Sequence, residues 1–169
     1  MKKRNAILED HGTWLLVDIS TPTHPEATMK IDSDDWEKLM SKGVGRVTAF
    51  KPGNILYAHT HINGVLTRIH REIISGDIID HINYDGTDNR KSNLRCCSGS
   101  QNQINRPPRK DSPFGITGLV RANNRWRTYI RVSGKLIWLG YFDNIEIAMG
   151  VRRQAEEKYY KGFSYEAAQ

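Results

Sequence analysis

A carboxylate and an imidazole stand side by side at Asp80 and His81, closing the short apolar run Ile78-Ile79. Asn93 follows, and then Asn102 within a stretch rich in Ser, Asn and Gln. An imidazole titrates where a general base is needed near neutral pH. A carboxylate and an amide oxygen are hard ligands suited to Mg²⁺, which takes few protein ligands and keeps several waters. Phosphodiester hydrolysis uses that combination: a base for the water, stabilisation of the phosphorane charge, and help for the leaving oxygen. His81 is the expected base, and Asp80 and Asn102 are the expected ligands. Successive strand residues face opposite ways. Asp80 and His81 can therefore serve one phosphate only where the strand ends or is distorted, with a ligand-bearing helix crossing below.

The neighbouring sequence predicts such a unit. Residues 78–81 read as a strand, 82–92 as a polar loop containing Gly86, and 94–97 as a second strand. Ser98-Gly99-Ser100-Gln101 has capping-box spacing, which starts a helix carrying Asn102 to about residue 105. Residues 66–75 read as a short helix with Thr67 as its cap and Gly76 as its stop. Asn83, Asp85, Asp88 and Asn89 read as residues that satisfy the loop's own backbone.

The stretch from Asp80-His81 through Asn93-Leu94-Arg95 to Gln101-Asn102 resembles the HNH endonuclease motif, a ββα-metal finger. It is most similar to the branch found in phage and group I intron homing endonucleases. That branch matches in the twelve residues from His81 to Asn93, the nine from Asn93 to Asn102, and the leading Ile69-His70-Arg71-Glu72-Ile73. The resemblance implies His81 as general base, Asp80 and Asn102 as ligands of one divalent ion, and Asn93 as an amide bracing the loop that aims His81. It makes His70 structural, and Arg90 and Lys91 candidates for phosphate contact. Asn at the third motif position favours Mg²⁺ or Mn²⁺ over zinc.

The net charge of +6 is unevenly placed: residues 105–142 hold eight basic residues against one acid, and the remainder is nearly balanced. Aromatic residues interleave with this charge, as at a polyanion contact surface. Arg106-Pro107-Pro108-Arg109-Lys110-Asp111-Ser112-Pro113 can be neither helix nor central strand and reads as a linker. Beyond it, residues 116–122, 125–132 and 136–142 read as strands joined at Asn123-Asn124 and Ser133-Gly134. Asp143-Asn144-Ile145-Glu146 has capping-box spacing and starts an amphipathic helix, with Ile147, Ala148, Val151, Ala155 and Tyr159 at helical spacing. Alternation sets Arg125, Arg127, Tyr129 and Arg131 on one face of the middle strand and Trp126, Thr128, Ile130 and Val132 on the other. Trp138 either lies over sugar or base or joins the core.

Residues 115–162 resemble the plant ethylene-response-factor type of DNA-binding domain. The residues carrying this are Gly115-Ile116-Thr117-Gly118-Leu119, Arg125-Trp126-Arg127-Thr128-Tyr129-Ile130-Arg131, Gly134-Lys135 and Trp138-Leu139-Gly140-Tyr141-Phe142. That family reads the major groove with its three-stranded sheet. The resemblance implies DNA contacts from Arg127, Tyr129, Arg131 and Trp138, with Arg121, Arg125 and Lys135 beside them. Tyr129 stands where the plant families place an acid, so their sequence preference does not transfer.

The expected fold class is α+β: a ββα-metal finger with a β-rich N-terminal extension, plus a small three-stranded antiparallel sheet packed on one helix. The expected divisions are 1–65 for the extension, 66–106 for the nuclease domain, 107–113 for the linker and 114–169 for the DNA-binding domain. In the extension, residues 14–19, 44–50 and 55–60 read as strands, and 33–42 as a helix capped by Ser33 or Asp34. No apolar run approaches a membrane span. The only cysteines, Cys96 and Cys97, are adjacent and read as reduced residues of a cytoplasmic protein. The expected function is metal-dependent cleavage of double-stranded DNA by a monomer or homodimer. A non-catalytic DNA-binding regulator with a relic HNH fold is the alternative.

Overall fold

The computed structural model describes residues 5–110 and 112–165. The basic residues 2–4 and Asp111 of the expected linker lie outside them. The protein is mixed α+β, built from small antiparallel sheets and four α-helices. It forms two compact units, one running to Cys97 and the other beginning at Ser98. The division falls ahead of the Pro-rich stretch 107–113.

The first unit opens with an antiparallel sheet of β1 (Ile7–Asp10), β2 (Trp14–Asp18) and β3 (Thr28–Asp32). Burial alternates along β2 and β3, so Leu15, Val17, Met29 and Ile31 point into the core. Helix α1 (Ser33–Ser41) follows directly and buries Trp36 and Leu39. Asp32, rather than Ser33 or Asp34, occupies its N-cap position and makes no side-chain cap bond; the Ser33 hydroxyl donates instead to the Gly12 carbonyl. A second sheet of β4 (Thr48–Phe50), β5 (Tyr57–Ile62) and β6 (Val65–Arg68) adds Ala49 and Ala58 to the same core.

Strand β6 corrects the expected helix over 66–75. Asn63 and Gly64 take φ of 51° and 80°, the left-handed pair of a two-residue hairpin, which sets Val65 opposite Ile62. Thr67 therefore pairs with Thr60 in the sheet and caps nothing. Only α2 (His70–Ile73) remains of the helix, one turn long.

The hairpin of β7 (Ile79–His81) and β8 (Leu94–Cys96) completes this unit. A 3₁₀ turn over Lys91–Asn93 leads into β8.

The second unit begins with α3 (Gly99–Ile104), whose cap is the expected one. Ser98 accepts from the Gln101 amide, and Gln101 accepts from the Ser98 amide. A three-stranded antiparallel sheet follows, with β10 (Arg125–Val132) between β9 (Leu119–Ala122) and β11 (Lys135–Phe142). Asn123, Asn124, Ser133 and Gly134 all have positive φ, as the expected two-residue turns require. Helix α4 (Ile145–Tyr160) packs against all three strands, and Asn144 caps it by accepting from the Glu146 and Ile147 amides. Its buried residues are Ala148, Arg152 and Ala155, while Ile147 is exposed. Arg152 belongs in the core because its Nε donates to the Thr117 carbonyl and Nη2 pairs with Glu156. Among the described residues, no helix is long and apolar enough to cross a membrane.

Candidate active site

Strand β7 ends at His81, and the chain turns at once. Tyr84 takes a φ of 63°, and its amide donates to the His81 carbonyl. Asp80 and His81 are both buried, at 5% and 6% exposure. Burial pushes the His81 imidazole below its ordinary pKa against the opposing pull of Asn89 and of the carboxylates of Asp85, Asp80 and Asp88. At neutral pH the ring is neutral and able to accept a proton.

Asn93 braces the loop from both ends. Its Oδ1 accepts from the Asn83 amide at 3.0 Å, and its Nδ2 donates to the Asp88 carbonyl at 2.8 Å. Asn83 and Asp85 cap amides two residues ahead, as Asx side chains do. Asp88 is the buried hub, accepting from Asn83 Nδ2 and from Nε and Nη2 of Arg90. Burial alone would raise the Asp88 carboxyl, but the Arg90 hydrogen bonds and charge outweigh it and hold it below the usual range.

The N-terminal sheets form the bed on which this loop lies. The Lys30 amide donates to the Thr87 carbonyl at 3.0 Å, and the Asn89 amide donates to the Lys30 carbonyl at 2.8 Å, so the loop adds to β3 as a short parallel bridge. Asp32 accepts from the Lys91 amide. Gly86 lies against β5 so closely that a Cβ would come within 2.4 Å of the Leu56 carbonyl oxygen and 2.6 Å of the Tyr57 ring. Gly86→Ala should therefore force the loop off Tyr57 and cost about 2–3 kcal/mol. A thermal melt checks this, with a drop of roughly 10 °C expected.

Two further rings, His70 and Tyr57, pack against the His81 imidazole. His70 meets His81 edge to face at 4.9 Å between centroids, and Tyr57 lies 5.9 Å from each. His70 is buried, and its Nδ1 has no hydrogen-bond partner. Burial first, then the His81, Arg68 and Arg71 charges, push its pKa down to about 3. The unfolded chain thus binds a proton that the folded one rejects between about pH 6.5 and 3. Stability from this site is full above pH 6.5 and is lost progressively as the pH falls towards 3. Replacing His70 with Phe, a ring without a titrating nitrogen, should flatten that slope in denaturation curves measured across the window.

The site's cations are already engaged. Arg95 lies opposite Asp80 in the hairpin, with Nε and Nη2 each 2.9 Å from Asp80 Oδ2. Opposite charges on facing strands carry that signal in the sequence. Arg90 is held by Asp88 and stacks 5.1 Å over Trp14. Lys91 Nζ lies 2.7 Å from Asp35 and 3.1 Å from Asp34, and Lys38 also pairs with both. Lys38 and Lys91 draw Asp34 down to about 2. Asp32, Asp34 and Asp35 form a close carboxylate group. It receives two lysines and an amide and fastens the 3₁₀ turn to α1. Arg90 and Lys91, expected at phosphate, would have to leave these carboxylates to reach it.

Asp80 lies on the β7–β8 hairpin of the first unit, and Asn102 lies on the capped helix α3 of the second; a carboxylate and an amide oxygen are each donors that hard cations take.

In the second unit the sheet register sorts the expected DNA contacts. Arg127 faces Tyr141, Tyr129 faces Trp138 and Arg131 faces Leu136, so all of these share the side away from the buried Leu119, Thr128 and Ile130. Arg125 shares that side by alternation, and its guanidinium pairs with Asp143. Trp138 is 55% exposed, which places it on the surface rather than in the core. Arg127 stacks 4.9 Å from its ring, and Tyr129 meets it edge to face. Arg121 pairs with Trp126, and Lys135 with Val132, which puts both on the opposite side. A register shift between Thr128 and Tyr129 leaves Leu139 without a facing residue, with Gly140 at a φ of 133°.

No curated protein and no solved structure matches the chain. Residues 72–104, which contain Asp80, His81, Asn93 and Asn102, match the model of the HNH endonuclease family, and the match supports an HNH nuclease domain in this part of the chain.

Proposed function

We propose that the protein is a metal-dependent HNH DNA endonuclease of the homing or free-standing phage type, which nicks one strand of a duplex held by its C-terminal sheet. The observation that carries this is the neutral, buried His81 beside Asp80, on a loop braced by Asn93, within a segment that matches HNH endonucleases. His81 takes a proton from water, and the resulting hydroxide attacks phosphorus in line. Asn93 keeps the loop closed so that His81 stays aimed. Asp80 and Asn102 would hold one divalent ion, Mg²⁺ by donor hardness with Mn²⁺ as a substitute. When bound, it neutralises charge on the phosphoryl oxygens and the leaving oxygen. One base and one ion cut one strand per encounter; a double-strand break needs a homodimer or a second engagement.

Binding falls to the sheet of β9, β10 and β11. Arg127, Arg131, Tyr129 and Trp138 form a cationic, aromatic face of the kind that can enter a major groove, where Arg reads guanine or holds phosphate. Arg125 borders it, and Arg121 and Lys135 reach only flanking phosphates from the other side.

The rival reading, a DNA-binding regulator with a relic HNH fold, draws on Arg95, which already neutralises Asp80. Supercoiled plasmid incubated with the full chain and Mg²⁺, beside a chelated control, separates the two. Open-circular product that the chelator suppresses is expected. Plasmid that is bound yet stays supercoiled with both Mg²⁺ and Mn²⁺ would favour the regulator.

A further inference from the structure

Asn89 does more than satisfy its own loop. It is fully buried, and its amide orientation is settled by Nδ2 donating to the Thr87 carbonyl at 3.2 Å. Oδ1 is thereby the atom that faces His81 Nε2, at 3.5 Å. An amide oxygen only accepts, so a hydrogen bond across this contact requires the hydrogen on Nε2. A neutral imidazole has one N–H, and the other nitrogen then keeps the lone pair. The contact is long, as catalytic hydrogen bonds often are before substrate binds.

We propose that Asn89 is a positioning residue for the reaction: it fixes His81 as the Nε2–H tautomer and so makes Nδ1 the nitrogen that takes the proton from water. This rests on the nuclease reading above. In the step, a water O–H bond breaks and its proton passes to Nδ1. The hydroxide oxygen bonds to phosphorus as the P–O ester bond breaks, and the leaving alkoxide takes a proton from solvent. His81 becomes an imidazolium whose Nε2–H still points at Asn89 Oδ1. That hydrogen bond becomes charge-assisted as the proton arrives, so it strengthens towards the transition state.

The N-terminal extension supplies the anchor. The Asn89 amide is tied to the Lys30 carbonyl, and the Thr87 carbonyl that orients the Asn89 side chain is itself held by the Lys30 amide. Strand β3 thus grips the residue that grips the base. The His70 ring edge supports the other side of the imidazole. These backbone ties do not need the Asn89 side chain, which lets its acceptor be removed while the main-chain bridge stays.

The first test is a long-range proton–nitrogen correlation spectrum of the full chain, labelled with ¹⁵N-histidine and free of DNA and metal. His81 is expected with Nε2 protonated and Nδ1 bearing the lone pair; the Nδ1–H tautomer would overturn the proposal. This readout does not require cutting. A wild-type protein that never nicks defeats the nuclease reading alone, and the wrong tautomer defeats this inference alone. The second test uses Asn89→Leu, similar in size but without an acceptor. At saturating DNA its cutting rate should fall about 10²–10³-fold, with DNA affinity and melting temperature near wild type. Asn89→Asp restores an acceptor and should recover at least about tenfold of that loss. Equal rates in Asn89→Leu and wild type, or a loss accompanied by parallel falls in affinity and melting temperature, would reject the positioning role.

Discussion

Arg127→Ala combined with Arg131→Ala should weaken duplex binding by about 10- to 100-fold and flatten its salt dependence by roughly two in slope. The two arginines stand at alternate positions of β10, on the side away from α4, and neither has a carboxylate partner in any described ion pair. The Arg127 guanidinium lies 4.9 Å from the Trp138 ring centroid, a cation–π contact that orders it on the exposed face. Arg125 is partly neutralised by Asp143 and should matter less. The sharp internal control is Arg121→Ala. Equal in charge but on the Trp126 side of the sheet, it should cost only a few-fold. Fluorescence anisotropy at several salt concentrations reads all of these. An Arg121 effect as large as that of Arg127 would mean that the other side of the sheet meets DNA.

His81→Ala should reduce cleavage of bound DNA by about 10²–10⁴-fold and leave duplex affinity unchanged. The large factor follows from the site's chemistry. The imidazole stands next to Asp80, and burial lowers its pKa, so the ring is neutral with a nitrogen lone pair to accept a proton. His70, pushed down to about 3 and lying under His81, cannot replace it. The substitution also removes one of three rings from a cluster with His70 and Tyr57, so a melt is needed alongside. A modest loss of stability, about 1–2 kcal/mol, should accompany the loss of rate without explaining it. Added imidazole that partly restores cutting would show that a missing proton acceptor, not a collapsed loop, limits the variant.

Local chemistry made much of this structure legible in the sequence. Ser98 and Gln101 cap α3 reciprocally, and Asn123-Asn124 and Ser133-Gly134 turn the C-terminal hairpins, all through contacts spanning a few residues. At α4 the capping-box spacing begins at Asp143, but the N-cap is Asn144, one residue later. Asn93 as the brace of the loop was also legible, because the motif carries it. Where competing patterns overlapped, the reading went astray. Thr67 and Gly76 have the residue types of a helix start and stop, but Asn63-Gly64 closes a hairpin, and sheet pairing claims Val65–Arg68. β1 is exposed along its whole length, and β3 is short, with half-buried Lys30 and Asp32 beside its buried Met29 and Ile31, so neither stands out as a strand without its pairing to β2. Strand parity could have separated Arg121 from Arg127, since Arg121 lies two residues from the inward Leu119. Contacts distant in sequence left no local trace at all. Nothing near Gly86 announces Tyr57, nothing near Asn89 announces Lys30, and the charges of Arg90 and Lys91 gave no sign that Asp88, Asp34 and Asp35 hold them. The extension at 1–65, featureless by motif, is therefore where the loop's position is decided.

If the residues around His81 cut and the C-terminal sheet binds, the two functions should separate in a single experiment. Protein is saturated with a nicked-product reporter duplex in chelator, and excess Mg²⁺ then starts a single round of cutting. Wild type, His81→Ala and the Arg127→Ala, Arg131→Ala double variant are followed side by side. The double variant, once saturated, should cut at close to the wild-type rate, while His81→Ala remains bound and cuts at least about 100-fold more slowly. His81→Ala cutting as fast as wild type would contradict that separation.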